Sequence, residues 1–151
     1  MADHSAADPA SGYLYQCRYA LLAALQRQDV TPGLEVSIEC FDDIAFSDNG
    51  SPKERLQSKH SPTPKAMSDQ AVQFWNTLGI WTKRVNDHPA ELGKIKLTFV
   101  TTSTLGGDTA VSLLRSGPEG RDVAKAMEKL STSATGSKNK KIAWAIKLFL
   151  Q

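Results

Sequence analysis

"ERLQSKH", residues 54–60, is the stretch on which the reading of this chain turns. Side chains alternate across an extended strand, so Gln57 and Lys59 project to one side while Leu56, Ser58 and His60 face the other. An amide and an ammonium thereby become a pair. Upstream, "LEVSIECFDDIAF" (34–46) alternates well enough to be one bent strand or two short strands, and "SDNGSP" (47–52) supplies turn chemistry with Asn49-Gly50 at its tip. If "IECFDDI" (38–44) runs continuously, Glu39, Phe41 and Asp43 point one way and Ile38, Cys40, Asp42 and Ile44 the other; a bend near Phe41 brings Asp42 in instead. A hairpin joining the two stretches then sets Glu39 and Asp43 beside Gln57 and Lys59.

Residues 1–11 read as a flexible lead-in. "GYLYQCRYALLAALQRQ" (12–28) then repeats apolar residues at helical spacing, with Leu14, Cys17, Ala20, Leu21, Ala24 and Leu25 in one stripe, and "TPG" (31–33) stops it. Beyond the hairpin, "SPTPK" (61–65) breaks the chain, and Ser68 is placed to cap a helix from about Asp69 to Val85 that carries Val72, Trp75, Leu78 and Trp81 to a core. "KIKLTFVTTS" (94–103) is the clearest strand, since Ile95, Leu97 and Phe99 alternate with Lys94, Lys96 and Thr98. The order helix, strand, strand, strand, helix, strand predicts an α/β fold with a central mixed sheet flanked by helices.

"DTAVSLLRS" (108–116) and "GRDVAKAMEKLS" (120–131) read as further helices, and "STSATGSKNKK" (131–141) as a polar, basic loop. The apolar "IAWAIKLFLQ" (142–151) has no stop signal after it, which raises the expectation that a domain spanning 12–151 was cut from something longer.

With 151 residues, 40% hydrophobic and 23% charged, the composition is that of one globular domain. A net charge of +2 means that any nucleic-acid surface is a local patch. Cys17 and Cys40 sit in apolar contexts without metal-ligand spacing and read as buried thiols, which suits a reducing cytoplasm. The N-terminus carries no basic and apolar leader, and no apolar run approaches the ~18 residues of a membrane span. The expectation is a cytoplasmic protein without membrane contact.

Carboxylates, an amide oxygen and a cation in one cluster suit Mg²⁺, a hard ion that keeps several waters and takes one or two carboxylates from a protein. Phosphoryl chemistry follows from that set: the ion polarises a phosphodiester and acidifies a bound water, and Lys59 offsets charge on the transition state.

An Asp, a turn and Gln-x-Lys on the next strand, within that element order, resembles the PD-(D/E)xK nuclease superfamily in its Gln-x-Lys form. More specifically, "GYLYQCRYALLAAL" (12–25), "IECFDDI", "LQSKH" and the Trp-containing "DQAVQFWNTLGIW" (69–81) are similar to the N-terminal nuclease domain of CD-NTase-associated endodeoxyribonucleases, effectors of bacterial cyclic-oligonucleotide (CBASS) anti-phage defence. The similarity covers roughly residues 12–104. It implies a restriction-endonuclease-like core and cleavage of double-stranded DNA with Mg²⁺ or Mn²⁺. Asp43 and Gln57 lie near the metal, Lys59 takes the catalytic lysine position, Glu39 and Asp42 match acidic positions, and Gln16 matches a helix position bordering the site. It also implies self-association or a C-terminal sensor domain that controls the activity. One departure from the charged pattern is the neutral Gln57, which shifts ion binding onto Asp43 and its neighbours.

Plainer readings of the same residues stand beside these. Asp42-Asp43 also suits a turn, and Gln57 with Lys59 a solvated strand face. His60 reads as a packed imidazole, His88 as loop, Trp75 and Trp81 as core and rim, and the lysines of "GSKNKK" (136–141) as a solvated loop. A catalytically inactive nuclease-fold module that binds DNA or protein is the rival reading, and a nuclease acting on RNA a third.

Overall fold

The computed structural model describes residues 7–27, 31–40, 42–61 and 65–151, with side chains from Ala10 onward. Residues 1–6 of the expected lead-in and the proposed bend at Phe41 lie outside the described residues. The chain gathers into two compact units. One comprises Met1–Thr63 and Pro89–Thr102, the other Pro64–His88 and Ser103–Gln151.

The first unit holds a long helix, α1 (Ala7–Arg27), and four strands, β1 (Leu34–Ile38), β2 (Ile44–Asp48), β3 (Ser51–Lys59) and β4 (Lys96–Thr101). The sheet order is β1-β2-β3-β4, antiparallel from β1 to β3 and parallel between β3 and β4, so it is mixed as expected. Of the two readings of residues 34–46, two short strands is the one found, and Asn49 and Gly50 form the tip of the β2–β3 hairpin, both at positive φ. Helix α1 begins at Ala7, inside the stretch read as lead-in; Pro9 sits in its first turn, where a missing N–H costs nothing.

Small residues let α1 lie close on the sheet. Ala20 and Ala23 pack with Ile44, Phe46 and Leu56, and Tyr19, Ala24, Leu34, Ile38 and Val100 surround them. The apolar stripe read from the sequence therefore divides: its alanines face the sheet, whereas Leu14, Leu21 and Leu25 point outward. At the C-terminal end of the helix, Arg27 stacks over the Phe46 ring at 4.5 Å and donates to Glu54 at 2.7 Å. Glu54 is buried on β3 and also accepts from Thr98 and pairs with Lys96 at 3.1 Å. Each donor offsets part of the desolvation of that carboxylate.

The second unit is helical, with α2 (Val72–Asp87), α3 (Ala110–Leu113), α4 (Val123–Gly136) and α5 (Ala143–Phe149). Helix α2 starts three residues later than expected, behind Ala71, and Ser68 does not cap it. Asp69 is tied down elsewhere: its carboxylate accepts from the Ala110 N–H at 2.6 Å and its carbonyl from Trp75 Nε1 at 2.7 Å. Trp75 and Trp81 are both buried, with Phe74 and Thr77, while Val72 and Leu78 are only half-buried. Helix α4 is capped by Asp122 and runs through Ser131–Gly136, which the sequence reading assigned to a loop. Its hydroxyls are satisfied within the helix, since Thr132 and Thr135 donate to the carbonyls of Glu128 and Ser131.

Candidate active site

Strand β3 is central, and it is buried on both faces from Glu54 to Ser58. Period-two alternation sends Leu56 under α1 and Arg55, Gln57 and Lys59 to the opposite face. The antiparallel ladder with β2 ends at the pair Ile44–Leu56, so the Ser58 N–H lies one step past the last strand partner. The carboxylate of Asp43 replaces that partner. Its Oδ2 accepts from Ser58 N at 2.8 Å and from Ser58 Oγ at 3.2 Å, which fixes the carboxylate at the end of the strand.

The remaining contacts draw four more side chains together. Gln57 Nε2 donates to Asp43 Oδ1 at 3.0 Å and to Asp42 Oδ1 at 3.1 Å, so both carboxylates converge on one atom. Lys59 Nζ lies 3.6 Å from Asp43 Oδ2 and donates to Gln57 Oε1 at 3.3 Å. Arg55 pairs with Asp42 at 3.7 Å, both side chains being buried. Lys59 alone keeps about a third of its side chain in solvent, at 36% exposure, which leaves its ammonium within reach of an incoming anion.

Asp42, Asp43, Gln57 and Lys59 are thus brought together, as the sequence reading expected. Glu39 is not. It sits in the β1–β2 turn at φ 57° with its N–H bonded to the Asp43 carbonyl, and its exposed side chain makes no hydrogen bond or ion pair with the cluster among the described residues. Its charge is felt instead at Tyr13 on α1, whose pKa is raised chiefly by a hydrogen bond with Cys17 and slightly by Glu39. The continuous strand that would have aligned Glu39 with Asp43 is not formed, because β1 ends at Ile38 and β2, starting at Ile44, runs antiparallel to it. Gln16 stands on α1 four residues before Ala20, and its buried Oε1 has no hydrogen-bond partner among the described residues.

His60 packs its ring on Tyr15 at 5.0 Å, in line with the packed reading. Cys40, expected to be buried, is exposed in the turn, and both cysteines are free. Two participants escaped the sequence reading. Arg55 stands two residues before Gln57, so the same alternation pointed to it; Ser58 enters through its backbone, and no residue-type signal marks that.

Among the described residues, no three His, Cys, Asp or Glu side chains gather as a metal-binding group. The donor set nevertheless fits an ion of the Mg²⁺ type, which needs one or two carboxylates, since Asp42 Oδ1 and Asp43 Oδ1 come together on Gln57 Nε2, at 3.1 and 3.0 Å. The Gln57 nitrogen stands between the two carboxylates in this orientation, with its oxygen turned to Lys59.

No protein-family model, curated protein or solved structure matches this chain. No helix among the described residues is long and apolar enough to cross a membrane.

Proposed function

We propose that this protein is a metal-dependent endonuclease that hydrolyses phosphodiesters of double-stranded DNA. We extend that reading to a nuclease domain of the PD-(D/E)xK type, an effector of bacterial anti-phage defence controlled by a sensor domain or partner. The observation that carries it is the convergence of Asp43, Asp42, Gln57 and Lys59 at the end of one central strand. Asp43 and Asp42 would hold the divalent cation, with Gln57 beside them. That ion supplies a polarised phosphodiester and a more acidic bound water. Lys59, about a third in solvent and held by Gln57, meets the negative charge that builds on the phosphorus oxygens as the bond is cut. The Ser58 N–H and hydroxyl hold one oxygen of Asp43, and the other, which now accepts from Gln57, would turn to the ion.

The test is cleavage of supercoiled plasmid with Mg²⁺ or Mn²⁺, beside an RNA substrate, by the wild-type protein and by Lys59→Ala. Metal-dependent nicking of DNA by the wild type, lost in the variant, supports the reading. Absence of duplex cleavage by the wild type joined to its natural partner defeats it.

One observation favours a catalytically silent binding module: Gln57 Nε2 already bonds both carboxylates, so each acid has a hydrogen-bond donor without an ion. Calorimetric titration separates the two. Heat of Mg²⁺ or Mn²⁺ binding that disappears in Asp43→Asn belongs to the enzyme, and metal-indifferent DNA binding to the module.

A further inference from the structure

Trp144 is the tryptophan that reaches solvent: it is 43% exposed, whereas Trp75 and Trp81 are 0% and 8% exposed. Its ring is nonetheless fixed in place. The indole lies on Gly79 of α2, so close that a Cβ there would stand 2.5 Å from it, and its Nε1 donates to Asn76 Oδ1 at 3.2 Å. Asn76, Ile80, Lys83, Arg84 and Asp87 recur at spacings of three and four and so share one face of α2. That face and the indole border a cleft of about 200 Å³, lined by Ile80, Lys83, Arg84, Asp87, His88 and Trp144. Its acid, Asp87, is paired with Lys83 at 2.6 Å, and Lys83 with Arg84 outweighs it, so the lining is cationic on balance. The charge continues around the ring. Residues 137–151 carry Lys138, Lys140, Lys141 and Lys147 and no Asp or Glu. Lys147 follows Trp144 by one turn of α5, Lys140 and Lys141 precede it in the turn that leads into that helix, and all three are exposed.

We propose that this cleft binds single-stranded nucleic acid, with one base stacked on Trp144 and the flanking phosphates met by Arg84 and the surrounding lysines. An aromatic ring held still by packing and a hydrogen bond, and ringed by cations, is the pairing of stacking platform and basic track that single strands are bound by. Room selects the form of the ligand. The cleft is smaller than the ~300–1,000 Å³ of a drug-sized pocket and suits one flat ring system, and the bases of a duplex keep their faces stacked on one another, so an unpaired base is the one that enters. An acidic peptide would meet the lysines but leave the indole and the half-exposed Ile80 uncovered. The site lies wholly within the helical unit, and the inference does not depend on the catalysis proposed for Asp43 and Lys59.

Fluorescence anisotropy with the full chain in EDTA tests it, using a labelled oligothymidylate of about a dozen nucleotides, within the usual site size for such binding. A duplex, an abasic strand and polyglutamate of the same length serve as comparisons, and circular dichroism confirms that each variant is folded. Oligothymidylate is expected to bind best and to quench the tryptophan emission, because the exposed indole is the one a base covers. The abasic strand should bind about tenfold or more weaker and quench nothing. Trp144→Ala should lose about tenfold or more for oligothymidylate, whereas Trp144→Phe, which keeps a ring on Gly79, should stay within about threefold of the wild type. Lys141→Glu should weaken binding of oligothymidylate and abasic strand alike. Duplex, abasic strand or polyglutamate bound as tightly as oligothymidylate by the wild type, binding without quenching, or a folded Trp144→Ala protein that binds like the wild type would each overturn the proposal.

Discussion

The carboxylate of Asp43 and the ammonium of Lys59 lie 3.6 Å apart although they sit on different elements, one in a turn and one at a strand end. Gln57 links them, bonding the acid through its nitrogen and the lysine through its oxygen. The three groups form one electrostatic unit, and substitutions at each have different expected consequences.

Lys59→Ala should lower plasmid nicking by about two to three orders of magnitude, the usual effect of removing one preorganised transition-state donor. The side chain is partly exposed and not part of the core, so thermal unfolding and DNA affinity should hardly change. Retention of full cleavage would remove Lys59 from catalysis.

Asp43→Ala should be a stability mutant as well as a functional one. It leaves the Ser58 N–H without its carboxylate acceptor, which costs about 1–3 kcal/mol, whereas Asp43→Asn keeps an oxygen there and should cost less. Urea unfolding of the two variants measures the difference, and equal stability would show that the contact is not held in solution.

Gln57→Glu puts a third carboxylate where an amide now donates to two. The metal-free protein should melt below the wild type, and Mg²⁺ or Mn²⁺ should restore more of its melting temperature than it adds to the wild type. A thermal shift series with and without EDTA reads this without any substrate.

In the second unit, Asp108 is held below the usual carboxylate range, first by its hydrogen bond from Lys129 and then by that from Lys125. A depressed folded-state pKa contributes stability above the ordinary value of 3.8, and that contribution is lost as pH falls through the folded value. Asp108→Asn should therefore be slightly less stable than the wild type at neutral pH, with the gap closing below about pH 4. The exposed position keeps the effect small and sensitive to salt. A gap that persists unchanged in acid would assign it to something other than charge.

Gly79→Ala tests the packing of α2 on α5. An added Cβ would stand 2.5 Å from the Trp144 ring and 2.7 Å from Ala145 Cβ. Trp144 is half-exposed and can yield, but Ala145 is buried, so a loss of about 1–3 kcal/mol is expected in chemical denaturation.

The pairing of Gln57 with Lys59 was legible because strand alternation is a local rule, and the Asn49-Gly50 turn brought β2 antiparallel to β3 as far as the Ile44–Leu56 pair. Asp43 followed from the same hairpin, whereas Asp42 entered only through the alternative of a bend near Phe41. Glu39 was misplaced because alternation holds only while the chain stays extended, and Asp42-Asp43, which also suits a turn, left open where extension ends. The leucines of α1 show a second limit. Periodicity finds a stripe but does not tell which edge of it meets the sheet; close packing, which favours alanine at the contact, decided that. Serines and threonines read as loop formers within 131–136 proved helical once their hydroxyls had backbone carbonyls to donate to.

The buried Glu54, held from three sides by Arg27, Lys96 and Thr98, has a consequence at the far end of its own strand. It anchors β3 to the helix on one side and to β4 on the other, so Gln57 and Lys59 ride on a fixed rail. The acids arrive on a short bend instead. On the proposed reading, Lys59 would be the fixed member of the cluster, and a substitution at Glu54 would reach it through the strand.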